Sequence, residues 1–187
     1  VLLITLIGMF LTSMNIVKEK EMGTIEQINV TPIQKWQFIA GKLLPFWIIG
    51  LFELGFGLIV AKIVFGITVA GSYPLLFAIA AIYLIMVMSL GLIVSTLVDT
   101  QQQAMFISWF FLVIFILLSG LFTATDNMPQ WVQSFNYINP VAYFIKVIRL
   151  LILKGAALNE LYVIVFQMLA YAAIALSFAV MRYKKTV

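Results

Sequence analysis

The chain has 187 residues, 64% of them hydrophobic and only 10% charged, with a formal net charge of +4. An average soluble domain is about 45–50% apolar and about 25% charged, and a soluble fold of this size has no interior large enough to hide the excess, so the class is integral membrane. Cys and His are both absent, which excludes disulfides, thiol nucleophiles, Cys/His metal sites and imidazole acid–base chemistry; the dispersed basic residues read as topology signals, not as a nucleic-acid surface.

The apolar runs are about 20 residues long, the length of a spanning helix and not of the alternating ~10-residue strands of a barrel. The fold class is therefore an all-α integral membrane bundle. Five transmembrane helices are expected in one domain covering 1–187, at 1–17, 43–65, 74–98, 104–122 and 161–181. Val1 lies inside an apolar run with no Met and no charged flank ahead of it. The pattern is not that of a signal peptide, and the sequence is expected to be the C-terminal part of a longer protein.

Residues 18–42, KEKEMGTIEQINVTPIQKWQFIAGK, form the longest polar interruption and hold four of the eleven basic and three of the seven acidic residues. Thr24 to Gln27 fits a capping box. Met22, Ile25 and Ile28 recur near helical spacing, which predicts a short amphipathic helix at the interface. Pro32 pushes Thr31 out of helical geometry and ends it. A second helix is expected with Thr31 as cap, Pro32 at the first position and Gln34 closing another capping box. It runs past Trp36 and Lys42 into the second span, with Pro45 tolerated in that span's first turn. A solvated loop with flanking lysines is the plain alternative, but a passive linker needs no paired caps around a Thr-Pro break.

Glu53 lies about ten residues into the second span, ~15 Å along the helix and near the bilayer centre. An intramembrane acid is costly and marks either a polar site on a transport route or subunit interface, or a group satisfied by a neighbour inside the bundle. Asp99 to Gln103, DTQQQ, reads as a tight turn. Residues 123–159 form the second long connection. Met128-Pro129 opens a short stretch with Trp131, Val132 and Phe135 near one face. Asn139 then caps a start with Pro140 at the first helical position. Residues 141–153 are apolar but number only 13, too few to span. With Lys146 and Arg149 on one face, they read as a re-entrant or interfacial helix. Small residues in the last span (Ala172, Ala173, Ala175, Ala179) permit close packing.

The 18–42 side carries Lys18, Lys20, Lys35, Lys42, Arg182, Lys184 and Lys185, seven basic residues against the four of the other side, Lys62, Lys146, Arg149 and Lys154. That places 18–42 and the C-terminus in the cytoplasm and 123–159 outside. No P-loop occurs, since Gly41-Lys42 is followed by Leu43 and lacks the earlier Gly. Neither G-x-S-x-G nor H-E-x-x-H is present.

Two stretches together carry a family resemblance. KEKEMGTIEQINVTPIQKWQFIAGKLLP (18–45) resembles the cytoplasmic coupling segment of type 2 ABC transporter membrane subunits, roughly K-E-x-G-T-x-E-Q-L-x-V-T-P followed by G-K. SGLFTATDNMPQWVQSFNYINPVAYFIKVIRLLILKG (119–155) is similar to the same family's extracellular stretch, with S-G, M-P-x-W-x-Q, N-P, R and L-K-G in order. One departure is Ala124, where the family often has Pro. The resemblance implies a six-helix exporter fold, here lacking its first span, with a cytoplasmic coupling helix. It implies the permease subunit of a bacterial multidrug or antibiotic-type exporter in the inner membrane, not itself an enzyme. The partners implied are a separate cytoplasmic ATP-binding subunit and a second copy or homologous permease subunit, with membrane lipid around them. ATP and Mg would sit on the partner, and no cofactor on this chain. Glu19, Glu21, Gly23, Thr24, Glu26, Gln27, Thr31 and Pro32 carry over as the element coupling to the ATPase subunit; Met128, Pro129, Trp131, Pro140, Lys146 and Arg149 mark the extracellular segment.

The alternative is a secondary transporter or channel needing no ATPase, which predicts internal repeats and polar residues across several spans. Only Glu53 is deep, and no repeat is visible. A membrane enzyme would need an acidic or His cluster near one interface, which the sequence lacks.

Overall fold

The computed structural model describes residues 1–23, 34–122 and 127–182, and for Lys35 the backbone only. Five helices among these residues are long and apolar enough to cross a membrane. They are α1 (Leu2–Glu21), α2 (Lys35–Phe65), α3 (Tyr73–Ser95), α4 (Gln101–Leu118) and, after the outer segment, α7 (Leu158–Arg182). That segment, named for the side on which the sequence reading expects it, holds α5 (Gln130–Phe135) and α6 (Pro140–Ile148), the latter continued by a π turn at Arg149–Leu153.

Several boundaries differ from the sequence reading, each for a local reason. The first helix runs to Glu21, so Lys18 to Glu21 form its last turn and not the start of a loop. It stops at Gly23, whose φ of +69° places it in the left-handed region, while Met22 and Gly23 N–H groups close on the Lys18 and Lys20 carbonyls; glycine is the residue that ends a helix this way without steric cost. The second helix begins at Lys35 behind Gln34, and the expected Thr31 cap lies outside the described residues. Gln34 is extended, with ψ 149°, so it is the cap and not a residue of the first turn, and its N–H donates to the Gln37 side chain at 3.0 Å. Pro45 is consequently deep inside α2, where it offers no N–H to the Gly41 carbonyl. The DTQQQ turn is shorter than expected, because Thr100 caps α4 through the Gln103 N–H and the glutamines are already helical.

The third span is the axis of the bundle. Leu76, Ile79, Ala80, Tyr83, Leu84, Met86, Val87 and Met88 on α3 are all buried, and α1, α2, α6 and α7 pack around them. Leu161, Met168, Ala172 and Ala179 form the buried seam of α7. Their spacing of seven, four and seven is a narrow stripe suited to one helix partner. Ala173 lies on the outer side of α7 and takes no part in that seam.

Hydrophobicity drives little association inside lipid, so close backbone approach and hydrogen bonds hold such helices together. The structure uses both. A Cβ at Gly91 of α3 would lie 2.5 Å from the Met9 carbonyl oxygen of α1. Met9 sits in a π stretch, Leu6–Leu11, within α1. Thr5 and Tyr83 hydroxyls meet at 2.5 Å, and Ser13 and Ser108 at 2.7 Å. Trp47 of α2 donates to the Ala81 carbonyl at 3.1 Å. Outward, α2 presents Leu44, Ile48, Phe52, Phe56, Ile59 and Ile63, a stripe that only lipid or another apolar chain can cover.

Candidate functional site

The bundle has two polar ends, and the sequence-predicted residues divide between them. At the first end, α1 finishes with Glu19, Lys20 and Glu21. Successive helical side chains point about 100° apart, so the three reach three different neighbours. Glu19 pairs with Lys42 of α2, and that carboxylate side chain is only 15% exposed. Lys20 Nζ donates to the Val98 carbonyl at 2.8 Å and the Ser95 carbonyl at 3.4 Å, and lies 3.2 Å from Asp99 Oδ1. Glu21 Oε1 accepts the Gln101 N–H at 2.9 Å, and its other oxygen accepts from the Gln101 side chain. A cation thus sits on the C-terminal carbonyls of α3 and an anion on the first N–H groups of α4, the arrangement that the helix dipoles favour.

Gly23, two residues on, ends this helix. Thr24, Glu26, Gln27, Thr31 and Pro32 lie outside the described residues, as does the amphipathic helix expected there. The chain is described again from Gln34, whose side-chain oxygen accepts from Trp36 Nε1 at 2.5 Å. A groove of about 810 Å³ opens beside this root, lined by Asn15, Gln37, Phe38, Gly41, Lys42, Pro45 and Phe46. Asn15 Oδ1 is buried without a hydrogen-bond partner. The sequence reading did not single out Lys20, Lys42, Asp99 or Gln101 as site residues. The signal was present in the alternating KEKE at the end of an apolar run, because alternate charges on a helix end splay toward different neighbours.

Glu53 lies midway along α2, partly buried, and its Oε2 is a buried oxygen with no hydrogen-bond partner. It is separated from both ends and joins neither cluster.

At the opposite end the outer segment packs into the bundle. Pro129 caps α5, the Met128 carbonyl accepts from the Gln133 side-chain amide at 2.9 Å, and Trp131 is exposed. Asn139 accepts the Val141 N–H at 3.0 Å, so it is the cap of α6, with Pro140 buried at the first position. The same side chain donates to the Phe115 carbonyl of α4 at 2.8 Å. Phe144 stacks on Tyr83 with centroids 4.1 Å apart and planes 8° from parallel. Lys146 faces out. Arg149 donates to the Gly120 and Leu121 carbonyls at 2.7 and 3.3 Å, just past the C-terminus of α4. Burial first, and then the neighbouring Tyr137, push the Tyr143 hydroxyl above the ordinary tyrosine range; it remains a neutral donor to the Tyr137 carbonyl at 3.1 Å.

The two ends are ~27 Å apart along the 18 residues of α4. What the geometry does is mechanical. One end ties three helix termini together beside the residues that flank 24–33, and the other ties the partly buried helix α6 to α3 and α4.

Comparisons with known proteins identify the family. Residues 1–153 match the family model described as ABC-2 type transporter. The chain is 33% identical over 186 residues to the probable multidrug ABC transporter permease YbhR of Escherichia coli K12, covering 99% of this chain and 50% of the relative. It is 30% identical over 187 residues to the probable multidrug ABC transporter permease YbhS of the same strain, covering 99% and 48%. With the linearmycin resistance permease protein LnrN of Bacillus subtilis the identity is 24%, covering 85% and 41%. The chain therefore spans about half the length of the curated relatives it matches. No solved structure matches it.

Proposed function

The chain belongs to the ABC-2 type transporter family, and from that membership we propose that it forms the conducting half of a permease subunit in an ATP-driven exporter. It is a multi-pass membrane protein. The end that carries Glu19 to Glu21 faces the cytoplasm, and so does the C-terminal end of α7, in the bacterial inner membrane. ATP and Mg are bound and turned over by a separate cytoplasmic subunit. The permease works as a dimer with a second copy or a homologous subunit. The drug-type cargo named for the relatives is the cargo class proposed here.

The observation that carries this reading is the root of residues 24–33. The chain enters the segment from Gly23 beside a cluster that binds α2, α3 and α4, and returns from it at Gln34 into a helix of 31 residues. A push on that segment reaches four spans within two turns of helix. These 187 residues carry no nucleotide-binding motif, and in this reading the drive from the ATP-binding subunit enters here.

The test uses the full-length protein co-expressed with an ATP-binding subunit and reconstituted in proteoliposomes. ATP-dependent, vanadate-sensitive movement of a fluorescent drug is expected, and its loss when the ATP-binding subunit is omitted. Transport that proceeds without that subunit would favour the secondary-transporter alternative. Reporter fusions after Gln102 and after Arg182 should both report cytoplasm.

A further inference from the structure

We propose that Glu19, Lys20 and Glu21 are positioning residues that clamp the root of the 24–33 segment to α2, α3 and α4, and are not docking contacts for the ATP-binding subunit. The inference rests on the permease reading and refines it, because the family resemblance alone groups Glu19 and Glu21 with the residues that touch the ATPase.

The geometry separates the two roles. A docking carboxylate has to be free to meet a basic partner. Glu19 is 15% exposed and already paired with Lys42, itself 31% exposed. Both Glu21 oxygens accept hydrogen bonds from Gln101. Charge-assisted hydrogen bonds of this kind are shorter and stronger than neutral ones. Removing one member of a partly buried pair also leaves the other uncompensated. Redirecting these acids to another protein would break the ends of two helices.

The positions of the pairs matter as much as their number. Residues 19 and 42 lie on either side of residues 24–33 in sequence, so the Glu19–Lys42 pair joins the two helices that lead into and out of them. A segment pinned at both roots moves its roots together, where an unpinned one would absorb displacement by fraying. Lys20 then fixes the same root to the C-terminus of α3 through the Ser95 and Val98 carbonyls and Asp99. Glu21 fixes it to the first turn of α4 through Gln101. One turn of α1 therefore moves three helix ends at once. Lys20 and Lys42, read from sequence as topology signals, become working parts of the clamp, with Asp99 the counterpart of Lys20 and Gln101 that of Glu21 on the α3–α4 turn.

The experiment uses the full-length permease with its ATP-binding subunit in proteoliposomes, measuring three quantities: co-purification of the two subunits, ATP hydrolysis, and drug moved per ATP hydrolysed. The variants are Glu19→Lys, Lys42→Glu and the double swap. Each single change is expected to leave co-purification intact and lower drug moved per ATP by roughly fivefold or more, the low end of site-to-site coupling. The double swap should recover most of that loss. A single change that abolishes co-purification, with no recovery in the swap, would make these acids docking residues and overturn the inference. So would unchanged transport per ATP. If the wild-type protein binds no ATP-binding subunit at all, it is the permease reading that fails.

A second measurement stands apart from transport. Amide exchange at Gln101 in Glu21→Ala should accelerate relative to wild type, because the Glu21 carboxylate holds that N–H. Exchange at the wild-type rate would show that Glu21 does not clamp α4.

Discussion

Replacing Gly91 with Ala tests the joint between α1 and α3, because the added methyl has nowhere to go. An ideal Cβ there falls 2.5 Å from the Met9 carbonyl oxygen and 3.2 Å from the Met9 carbonyl carbon and Cα. All three atoms are backbone, so no side-chain rotation relieves the contact. Reaching an ordinary C···O distance of about 3.3 Å requires α1 and α3 to part by roughly 0.8 Å. Overpacking of this kind costs about 1–3 kcal/mol. Two other glycines give the scale. At Gly8 the new Cβ meets Val87 Cγ2 at 2.5 Å, a side chain that turns at some cost because it is β-branched. At Gly57 nothing lies within 4 Å, so Ala brings only its helix propensity, up to ~1 kcal/mol in favour of the folded helix. Thermal unfolding of the purified full-length protein in one detergent should rank Gly57→Ala at or above wild type, Gly8→Ala below it and Gly91→Ala lowest. A Gly91→Ala protein as stable as Gly57→Ala would mean that the close approach of α1 to α3 is not a property of the folded protein.

Thr5→Val removes the partner of the fully buried Tyr83 hydroxyl and should destabilise by about 1–3 kcal/mol; adding Tyr83→Phe should return part of that loss, and a purely additive double variant would refute the hydrogen bond's role. Asn139→Ala loses both the α6 cap and the bond to the Phe115 carbonyl, with an expected cost of about 1–2 kcal/mol and faster amide exchange confined to α6; exchange that rises uniformly across the bundle would contradict this placement. Arg149→Gln strips the guanidinium from the Gly120 and Leu121 carbonyls and should loosen the end of α4, read as faster proteolysis after Leu118, whereas Lys146→Gln on the exposed neighbour should not. Glu53→Gln replaces a carboxylate whose Oε2 has no hydrogen-bond partner; drug transport is expected to fall while thermal stability holds or rises, and wild-type transport would reduce Glu53 to a tolerated polar residue.

The spans were legible because their signal is simple. Length and hydropathy set by the bilayer leave little choice, and the boundaries missed were those where polar residues continue a helix. Lys18 to Glu21 and Gln101 to Gln103 are charged or amide-bearing, so they read as loop. In both stretches helical residues bond across to a neighbouring helix end, Lys20 to α3 and Glu21 to Gln101 of α4, a tertiary fact at which the alternating KEKE only hints. The Gln34 cap was misplaced for a related reason. Thr-Pro is the stronger local start signal, yet Gln34 is extended and Gln37 completes its cap. Asn139-Pro140 was read correctly, since cap, proline and apolar face agreed. Arg149 was recognised as significant but its role was not, because its partners are backbone carbonyls 28 and 29 residues away. The joints at Gly91 and Gly8 were invisible, since a glycine in a span looks the same whether it faces lipid or a neighbour's backbone.

The division of chemistry along the bundle bears on how it would move. Inside lipid the helix interior has satisfied its own backbone, and only the termini present free N–H and C=O groups. Three charged residues of the described clusters act there: Lys20 on the end of α3, Glu21 on the start of α4, Arg149 past the end of α4. The interior joints rely on Gly91, Gly50, Gly8 and short hydroxyl pairs. Attachments at termini are strong and directional, while small-residue faces allow sliding along the helix axis with little change in contact. A force applied at the first end would then carry each helix as a rod, and α3 would deliver it to the outer segment through the Tyr83–Phe144 stack. The outer helix is pinned to α4 at the Phe115 carbonyl by Asn139 and beyond the α4 C-terminus by Arg149, so α3 and α4 would meet again on one element. Joint motion of the α3 and α4 ends at the first end would then appear as rotation or release of α6 at the other, and cross-linking α6 to α4 should therefore block transport without blocking the binding of an ATP-binding subunit.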